Sequence, residues 1–255
     1  MKRSRSLTGL IAGILILFAI GAACNSGSST KSEPTNAQAP ARTDGGDPKA
    51  ANTPPASADI AGDYTATGTN PGGGGAYDAA LKITPRGDVY QFSWASGTHQ
   101  YDGVGVKTDN AVAVSFTDGV DGKGCGVVLY KIGADGSLDG KAGYWGVNDS
   151  ESETATRTSG SDLEGNYSVK GKSPEGKDYT GTLAIKKAGE GYTVEWKVGS
   201  TFSGFGVRNG KFLAVGFGGK QCSFVSYEVT SDGSLDGRWG SSGSTSFGTE
   251  LAKKK

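Results

Sequence analysis

Hydrophobic and polar residues alternate along most of the chain from about residue 58 onward, which is the period of a β-strand that buries one face. In one run, Tyr77, Leu81 and Ile83 share a face, while Asp78 and Lys82 lie on the opposite face. Runs of this kind recur to about residue 252, and none of them has the period of a helix. The pattern predicts an all-β fold of about sixteen short strands.

The predicted strands come in two copies of one unit. The matching segments are residues 62–64 with 165–167, 77–83 with 179–185, 90–94 with 192–196, 103–106 with 204–207, and 135–140 with 232–237. The offset falls from 103 (62 to 165) to 97 (135 to 232), so loops have changed in length while the strands have stayed. This pattern indicates an internal duplication.

Each copy is predicted to form a barrel of its own. Successive antiparallel strands with one apolar face favour an up-and-down barrel, because closure removes exposed edges. We therefore predict two tandem antiparallel meander barrels of about eight strands each, at residues 58–157 and 160–252. A pair of open sandwiches is the alternative. A transmembrane barrel is not expected, because outward positions hold Lys82, Gln91 and Glu195.

The strand centres and the turns can be assigned to residues. Strands are expected near Tyr64, Leu81, Phe92, Val104, Val114, Tyr130, Leu138 and Thr154 in copy 1, and near Tyr167, Leu183, Val194, Phe205, Val215, Tyr227, Leu235 and Thr249 in copy 2. Hairpin turns are predicted at pairs that accept positive φ, namely Asp102-Gly103, Asp118-Gly119, Asp135-Gly136, Asn209-Gly210 and Asp232-Gly233.

Aromatic residues dominate the predicted inward faces. The expected core aromatics are Tyr64, Tyr77, Tyr90, Trp94, Tyr130, Tyr167, Tyr179, Tyr192, Trp196 and Tyr227. In a barrel of about 95 residues these side chains are predicted to fill the interior. The alternative is that they line a ligand cavity, as in the lipocalin and avidin barrels that the pattern loosely resembles.

Residues 1–23 are predicted to be a lipoprotein signal peptide. Basic residues at the start are followed by an apolar run from Leu7 to Ile20 and then by Ala22-Ala23-Cys24. A small-residue pair before a cysteine resembles the bacterial lipobox, so Cys24 is predicted to carry the lipid that anchors the chain to a membrane. Ordinary cleavage after Ala23 is the alternative.

Residues 24–57 are predicted to be a disordered linker. Positions 25–57 hold no Val, Ile, Leu, Met, Phe, Tyr or Trp and contain five of the eight prolines, so they cannot bury a core. Asn25 lacks the usual cue for inner-membrane retention, which an Asp would supply. We therefore expect an exported protein of the bacterial cell envelope, an outer-membrane lipoprotein that faces the periplasm or the surface.

Composition and charge limit the chemistry. The 26 Lys+Arg and 26 Asp+Glu residues balance, and loss of three basic residues with the signal peptide leaves a net charge of 23 − 26 = −3, so no nucleic-acid partner is expected.

Few residues could act as metal ligands or nucleophiles, because the chain has one His and three Cys, and His99 has no His counterpart in copy 2. Each DGSLDG segment resembles the start of a calcium loop, but Gly146 and Gly243 occupy the position that needs a Glu. No catalytic, cofactor or metal site is predicted, and the carboxylates show no matching pair across the copies.

Cys125 and Cys222 occupy equivalent, outward-facing positions in the two copies. If the barrels pack about a pseudo-twofold axis, these residues can meet, and disulfides persist in exported proteins. Two separate thiols are the alternative.

The repeated elements Gly-x-Tyr, Tyr-x-x-x-Leu-x-Ile and Asp-Gly-Ser-Leu-x-Gly-x-Trp resemble those of a family of bacterial exported tandem-repeat β-proteins and lipoproteins, some of which are labelled fibronectin-binding proteins. The resemblance covers residues 60–251, and copy 1 departs from it with Ala142 where copy 2 has Trp239. It implies a protein partner, such as fibronectin.

The function expected from these observations is non-enzymatic. We expect a membrane-anchored lipoprotein whose two β-repeats act as a binding or scaffold module on a tether. The alternative is a carrier that holds a small apolar ligand inside a barrel.

Overall fold

A computed structural model describes residues 59–219 and 221–255. The predicted signal peptide, Cys24 and the predicted linker lie outside the described residues. None of the helical segments within the described residues has the length and apolar character needed to span a bilayer. A 3-10 turn, Pro71–Gly73, joins the first two strands.

The described chain forms sixteen strands. Those of copy 1 are β1 (Gly62–Thr69), β2 (Ala76–Arg86), β3 (Val89–Ser96), β4 (His99–Thr108), β5 (Ala111–Asp118), β6 (Cys125–Ile132), β7 (Leu138–Tyr144) and β8 (Glu151–Ser161). Those of copy 2 are β9 (Glu164–Lys172), β10 (Asp178–Ala188), β11 (Gly191–Val198), β12 (Ser200–Asn209), β13 (Phe212–Gly218), β14 (Ser223–Val229), β15 (Leu235–Ser241) and β16 (Gly248–Lys254). Every predicted strand centre lies in a strand of its own.

The strands close into two antiparallel barrels of eight strands each, as the pattern predicts. Barrel 2 is an unbroken meander from β6 to β13, and β13 pairs with β6 to close it. Barrel 1 consists of β1–β5 together with β14–β16, closed where β1 meets β16 and where β5 meets β14. The assignment of residues 58–157 to one barrel and 160–252 to the other is therefore wrong. Each copy gives its last three strands to the barrel that holds the first five strands of the other copy.

The interface between the barrels is formed by strands that are apolar on both sides. Val112 and Val114 fill the interior of barrel 1, while Ala113 on the same strand packs outward against barrel 2. On β6 of barrel 2, Val127 and Leu129 pack outward against barrel 1, and both are fully buried. Strands buried on two faces show near-continuous apolar runs rather than alternation. The inward-facing residues of β6 alone therefore do not indicate which barrel this strand belongs to.

Both crossovers between the barrels meet at a disulfide. Cys125 begins β6, and Cys222 directly precedes β14. Their sulfurs are bonded at 2.01 Å with the Cα atoms 5.8 Å apart. The bridge closes a loop that contains the whole of barrel 2.

We expect loss of this disulfide to destabilise the protein. The bridge spans 97 residues, and a loop of that size restricts the unfolded chain strongly. The double variant Cys125→Ser/Cys222→Ser should have a free energy of unfolding lower by about 2 to 4 kcal/mol in denaturant titration. A reductant should shift the wild-type curve by a similar amount and leave the double variant unmoved. Superimposable oxidised and reduced wild-type curves would contradict this expectation.

The predicted turns are correct where the chain reverses within one barrel. Gly136, Gly210 and Gly233 form hairpin turns with φ of 78°, 55° and 81°. Asp118-Gly119 instead opens the crossover to barrel 2, and Asp102-Gly103 lies inside β4. These two turn predictions are wrong, because an Asp-Gly pair is also tolerated within a strand or where a strand leaves its barrel.

One end of each barrel is closed by the chain itself. Ile60 and Leu163 are buried at equivalent positions, before the first strand of each copy. The Tyr64 hydroxyl donates to the Ile60 carbonyl at 2.9 Å, and the Tyr167 hydroxyl donates to the Leu163 carbonyl at 2.8 Å. Ile60 and Leu163 thus pack into the cores of barrel 1 and barrel 2 at corresponding ends.

Candidate ligand cavity at the open end of barrel 1

Nine of the ten predicted core aromatics belong to the hydrophobic cores of the two barrels or pack against them, and Tyr77 lines a cavity in barrel 1. Tyr64, Trp94, Tyr130, Tyr167, Tyr192, Trp196 and Tyr227 are buried. Tyr90 and Tyr179 are half-buried and pack against the two cores, while the half-buried Tyr77 packs against Trp239. The interior is thus filled along most of its length, while the open end of barrel 1 contains a cavity.

A buried carboxylate forms part of this cavity. Glu250 on β16 is 5 % exposed and accepts hydrogen bonds from three side chains. The Trp94 indole N–H donates to Oε1 at 3.0 Å, and the Tyr227 hydroxyl donates to the same oxygen. The Tyr77 hydroxyl donates to Oε2 at 2.8 Å. Tyr77 and Trp94 come from copy 1 and the other two from copy 2, so the exchange of strands brings the set together.

The two phenols remain donors at physiological pH. Burial, reinforced by the negative charge of Glu250, raises the pKa of Tyr77 and Tyr227 well above the ordinary value. Protonated hydroxyls hold the carboxylate in place and leave no phenolate to act as a base. The three donors therefore fix the position of the buried Glu250 side chain.

Aromatic rings in mutual contact form the wall of the cavity, which has a volume of about 330 Å³. The ring of Phe116 lies 5.2 Å from Trp94, 6.2 Å from Tyr101 and 6.1 Å from Trp239, measured between centroids. Tyr77 meets Trp239 edge to face at 6.1 Å. The remaining lining residues are Asn70, Ala79, Ser96, Asp118, Gln221, Ser223, Val225, Tyr227 and Glu250. A space of this size and polarity suits a small organic molecule.

A hydrogen bond and a neighbouring glycine determine the orientation of Trp239. Its indole N–H donates to the Thr69 carbonyl of β1 at 3.0 Å, over Gly248 of β16, the strand that lies between β15 and β1. A Cβ at Gly248 would lie 2.1 Å from that carbonyl oxygen and 2.6 Å from the indole nitrogen. Glycine at position 248 is thus required for Trp239 to reach the wall.

Barrel 2 repeats the buried carboxylate. Glu153 is 5 % exposed and accepts from the Tyr130 hydroxyl, from the Trp196 indole N–H at 3.3 Å and from the Tyr179 hydroxyl at 3.0 Å. Burial raises the pKa of Glu153, and the three hydrogen bonds oppose that shift.

The open end of barrel 2 has a different lining. Ala142 stands where barrel 1 has Trp239, and Glu151 stands where barrel 1 has Gly248. The Tyr144 hydroxyl donates to Glu151 at 2.7 Å, and Tyr179 donates to both Glu151 and Glu153. Polar side chains of the protein thus occupy the end that in barrel 1 is walled by Trp239.

Sequence reasoning missed the two buried glutamates. The expectation that carboxylates do not match across the copies is wrong, because Glu153 and Glu250 are 97 positions apart, the same offset as the DGSLDG segments. Each glutamate also lies two residues before a buried, inward-facing alanine, Ala155 or Ala252, and residues two apart in a strand point to the same face. The combination of offset and parity was a signal in the sequence.

The other candidate residues have local roles. Asp135 and Asp232 accept hydrogen bonds from the backbone N–H of Ser137 and Ser234 at 2.9 and 3.1 Å, which stabilises the two DGSLDG turns. His99 is exposed and lies 6.4 Å from the ring of Tyr101. Within residues 59–219 and 221–255, no three His, Cys, Asp or Glu side chains converge as a metal site.

Comparisons with family models, curated proteins and solved structures found no match for this chain.

Proposed function

We propose that this protein is a non-enzymatic binding protein that holds a small ligand in the cavity of barrel 1. The observation that carries the proposal is an aromatic-walled space of about 330 Å³ at the open end of a barrel whose other end is closed. Eight-stranded barrels are wide enough either to be filled or to hold one small ligand. The alternative of a ligand carrier, raised by the inward aromatics, is therefore the one we develop.

The chemistry of the cavity supports binding rather than catalysis. Glu250 is held by three donors, and the phenols among them have raised pKa values. A phenol acts as a base or nucleophile only as the phenolate, and the described residues that line the cavity include no His, Cys or Lys that could serve instead. The residues that line the cavity supply shape and charge instead.

The predicted N-terminal anchor gives the proposal a cellular setting. With a lipid on Cys24, a linker of 33 residues would have a typical span of about 30 Å between membrane and barrels. A module on such a tether can bind small molecules close to the membrane without being inserted in it. In this proposal the protein is an envelope lipoprotein with a ligand site.

A protein partner such as fibronectin is the function implied by the family resemblance. The large hydrophobic side chains exposed in the described part of the chain are Val120 and Leu251. Two side chains expose less area than the contiguous apolar patches that mark protein-binding surfaces. We therefore place the proposed function in the cavity.

Matched variants of the two barrels test the proposal. The apolar fluorophore N-phenyl-1-naphthylamine should bind the mature protein at one site, and Tyr101→Ala should weaken binding about tenfold, because the substitution removes part of the wall. Phe202 pairs with Trp196 as Tyr101 pairs with Trp94, but it lies in barrel 2. Phe202→Ala should therefore leave binding unchanged.

Fluorescence titration measures both variants against the wild type, with circular dichroism as the check on folding. Native mass spectrometry of protein purified from its own host should also show a bound small molecule. Absence of fluorophore binding, or equal loss in the two alanine variants, would overturn the proposed function.

A further inference from the structure

We propose that the ligand of the barrel 1 cavity is an organic ammonium cation. This inference rests on the proposed function and specifies its ligand class. It is carried by three features of the cavity: the aromatic wall, the carboxylates in the lining, and the direction in which the polar hydrogens point.

The wall of the cavity consists largely of aromatic rings. Trp94, Tyr101, Phe116, Trp239 and Tyr77 form a series of rings with neighbouring centroids 5.2 to 6.2 Å apart. The faces of aromatic rings carry partial negative charge, and an ammonium group within about 6 Å of several rings is attracted to each of them. Two of the five rings are indoles, which bind cations best among aromatic side chains.

The charged residues in the described part of the lining are both acidic. Glu250 lies in the lining at 5 % exposure, and Asp118 lies at the exposed rim. Among the described residues that line the cavity, there is no Lys, Arg or His. A negative charge in a partly desolvated aromatic site attracts a cation more strongly than it would in water, and it disfavours an anion.

The polar hydrogens of the buried cluster are already committed. The Trp94 N–H and the Tyr227 and Tyr77 hydroxyls all donate to Glu250, and the Trp239 N–H donates to the Thr69 carbonyl. Oε1 of Glu250 accepts two of these hydrogen bonds and Oε2 accepts one, so Oε2 retains acceptor capacity. The core of the cavity therefore contains aromatic rings and a carboxylate oxygen with acceptor capacity, which complement positive charge and donors.

The equivalent end of barrel 2 lacks part of this arrangement. Ala142 removes the indole that Trp239 provides, and the Tyr144–Glu151 hydrogen bond of 2.7 Å uses polar groups within the protein. We therefore expect one cation site per chain, in barrel 1.

Three probes of similar size and different charge test the inference on the mature protein by isothermal titration calorimetry. They are choline, the neutral isostere 3,3-dimethylbutan-1-ol, and the anion 3,3-dimethylbutanoate. Choline should bind at least about tenfold more tightly than the alcohol, and the anion should be the weakest. Trp239→Ala, which installs the residue of barrel 2, should abolish the preference for choline.

Two further variants separate charge from folding. Glu250→Gln keeps the shape of the side chain and should reduce choline affinity while N-phenyl-1-naphthylamine still binds. Asp118→Asn changes an exposed residue, so this variant should remain folded. It should reduce choline affinity by a smaller factor than Glu250→Gln does. Phe202→Ala in barrel 2 should change neither affinity.

The outcomes distinguish the inference from the function on which it rests. Three results would overturn the proposal of an ammonium ligand and still leave the cavity as a ligand site. These are equal binding of choline and the alcohol, tighter binding of the anion, and binding of the fluorophore without binding of choline. Failure of the fluorophore and all three probes to bind would overturn both.

Discussion

A fragment of residues 59–161, which keeps the whole of copy 1, is expected not to fold as a monomeric barrel. It holds β1–β5 without β14–β16, so β1 and β5 are left as open edges. Its β6–β8 lack the five strands that complete barrel 2. A fragment of residues 125–218 is of similar length but contains every strand of barrel 2. It is expected to fold, with Cys125→Ser to remove the thiol left unpaired.

Size-exclusion chromatography and thermal unfolding followed by circular dichroism distinguish the two fragments. The 125–218 fragment should show a cooperative transition. The 59–161 fragment should either show none or elute as a dimer in which two molecules exchange β6–β8. A monomeric 59–161 fragment with a cooperative transition would contradict the strand exchange, because it would mean that copy 1 closes on itself.

Trp196→Ala is expected to lower the free energy of unfolding by about 3 to 5 kcal/mol, a large share of the stability of a domain. Trp196 is 3 % exposed, stacks on Phe202 at 5.0 Å and donates to the Tyr130 hydroxyl at 3.0 Å. If the copies were separate domains, this substitution would leave one barrel with its own transition. Two crossovers and a buried interface instead couple the barrels, so we expect a single transition that moves as a whole.

The matched control is Trp94→Ala, at the equivalent position in barrel 1. Denaturant titration of both variants, followed by fluorescence and by circular dichroism, should give coincident curves with similar shifts. Curves that split into two steps, with a different barrel lost first in each variant, would show that the barrels unfold independently.

The strands were predictable because each carries its own signal. Alternation identifies the strand and its inward face, so all sixteen strands and the inward aromatics follow from local pattern. Pairing between distant strands has no such signal, since a strand with a suitable face fits either barrel. The runs at 111–114 and 127–130, apolar at every position, indicated burial on both sides, but only packing shows which barrel lies on the second side.

The candidate site was predictable in part for a similar reason. The aromatics could be placed in the interior, and Ala142 against Trp239 was visible as a difference between the copies. That this difference produces a cavity depends on where Trp239 and Phe116 lie relative to each other, 6.1 Å apart and joined through residues of both copies. Periodicity contains no information on such distances.

The exchange of strands also sets an order in which the molecule can form. The continuous barrel 2 can close as soon as β13 has emerged from the machinery that makes or exports the chain, N-terminus first. Barrel 1 has to wait with β1–β5 as an open sheet until β16 arrives, since Tyr64 pairs with Lys254 near the end of the chain. Contacts so distant in sequence form slowly. The cavity is then the last part of the protein to form, and a chain that stops short of β16 would retain a complete barrel 2 but lack the cavity of barrel 1.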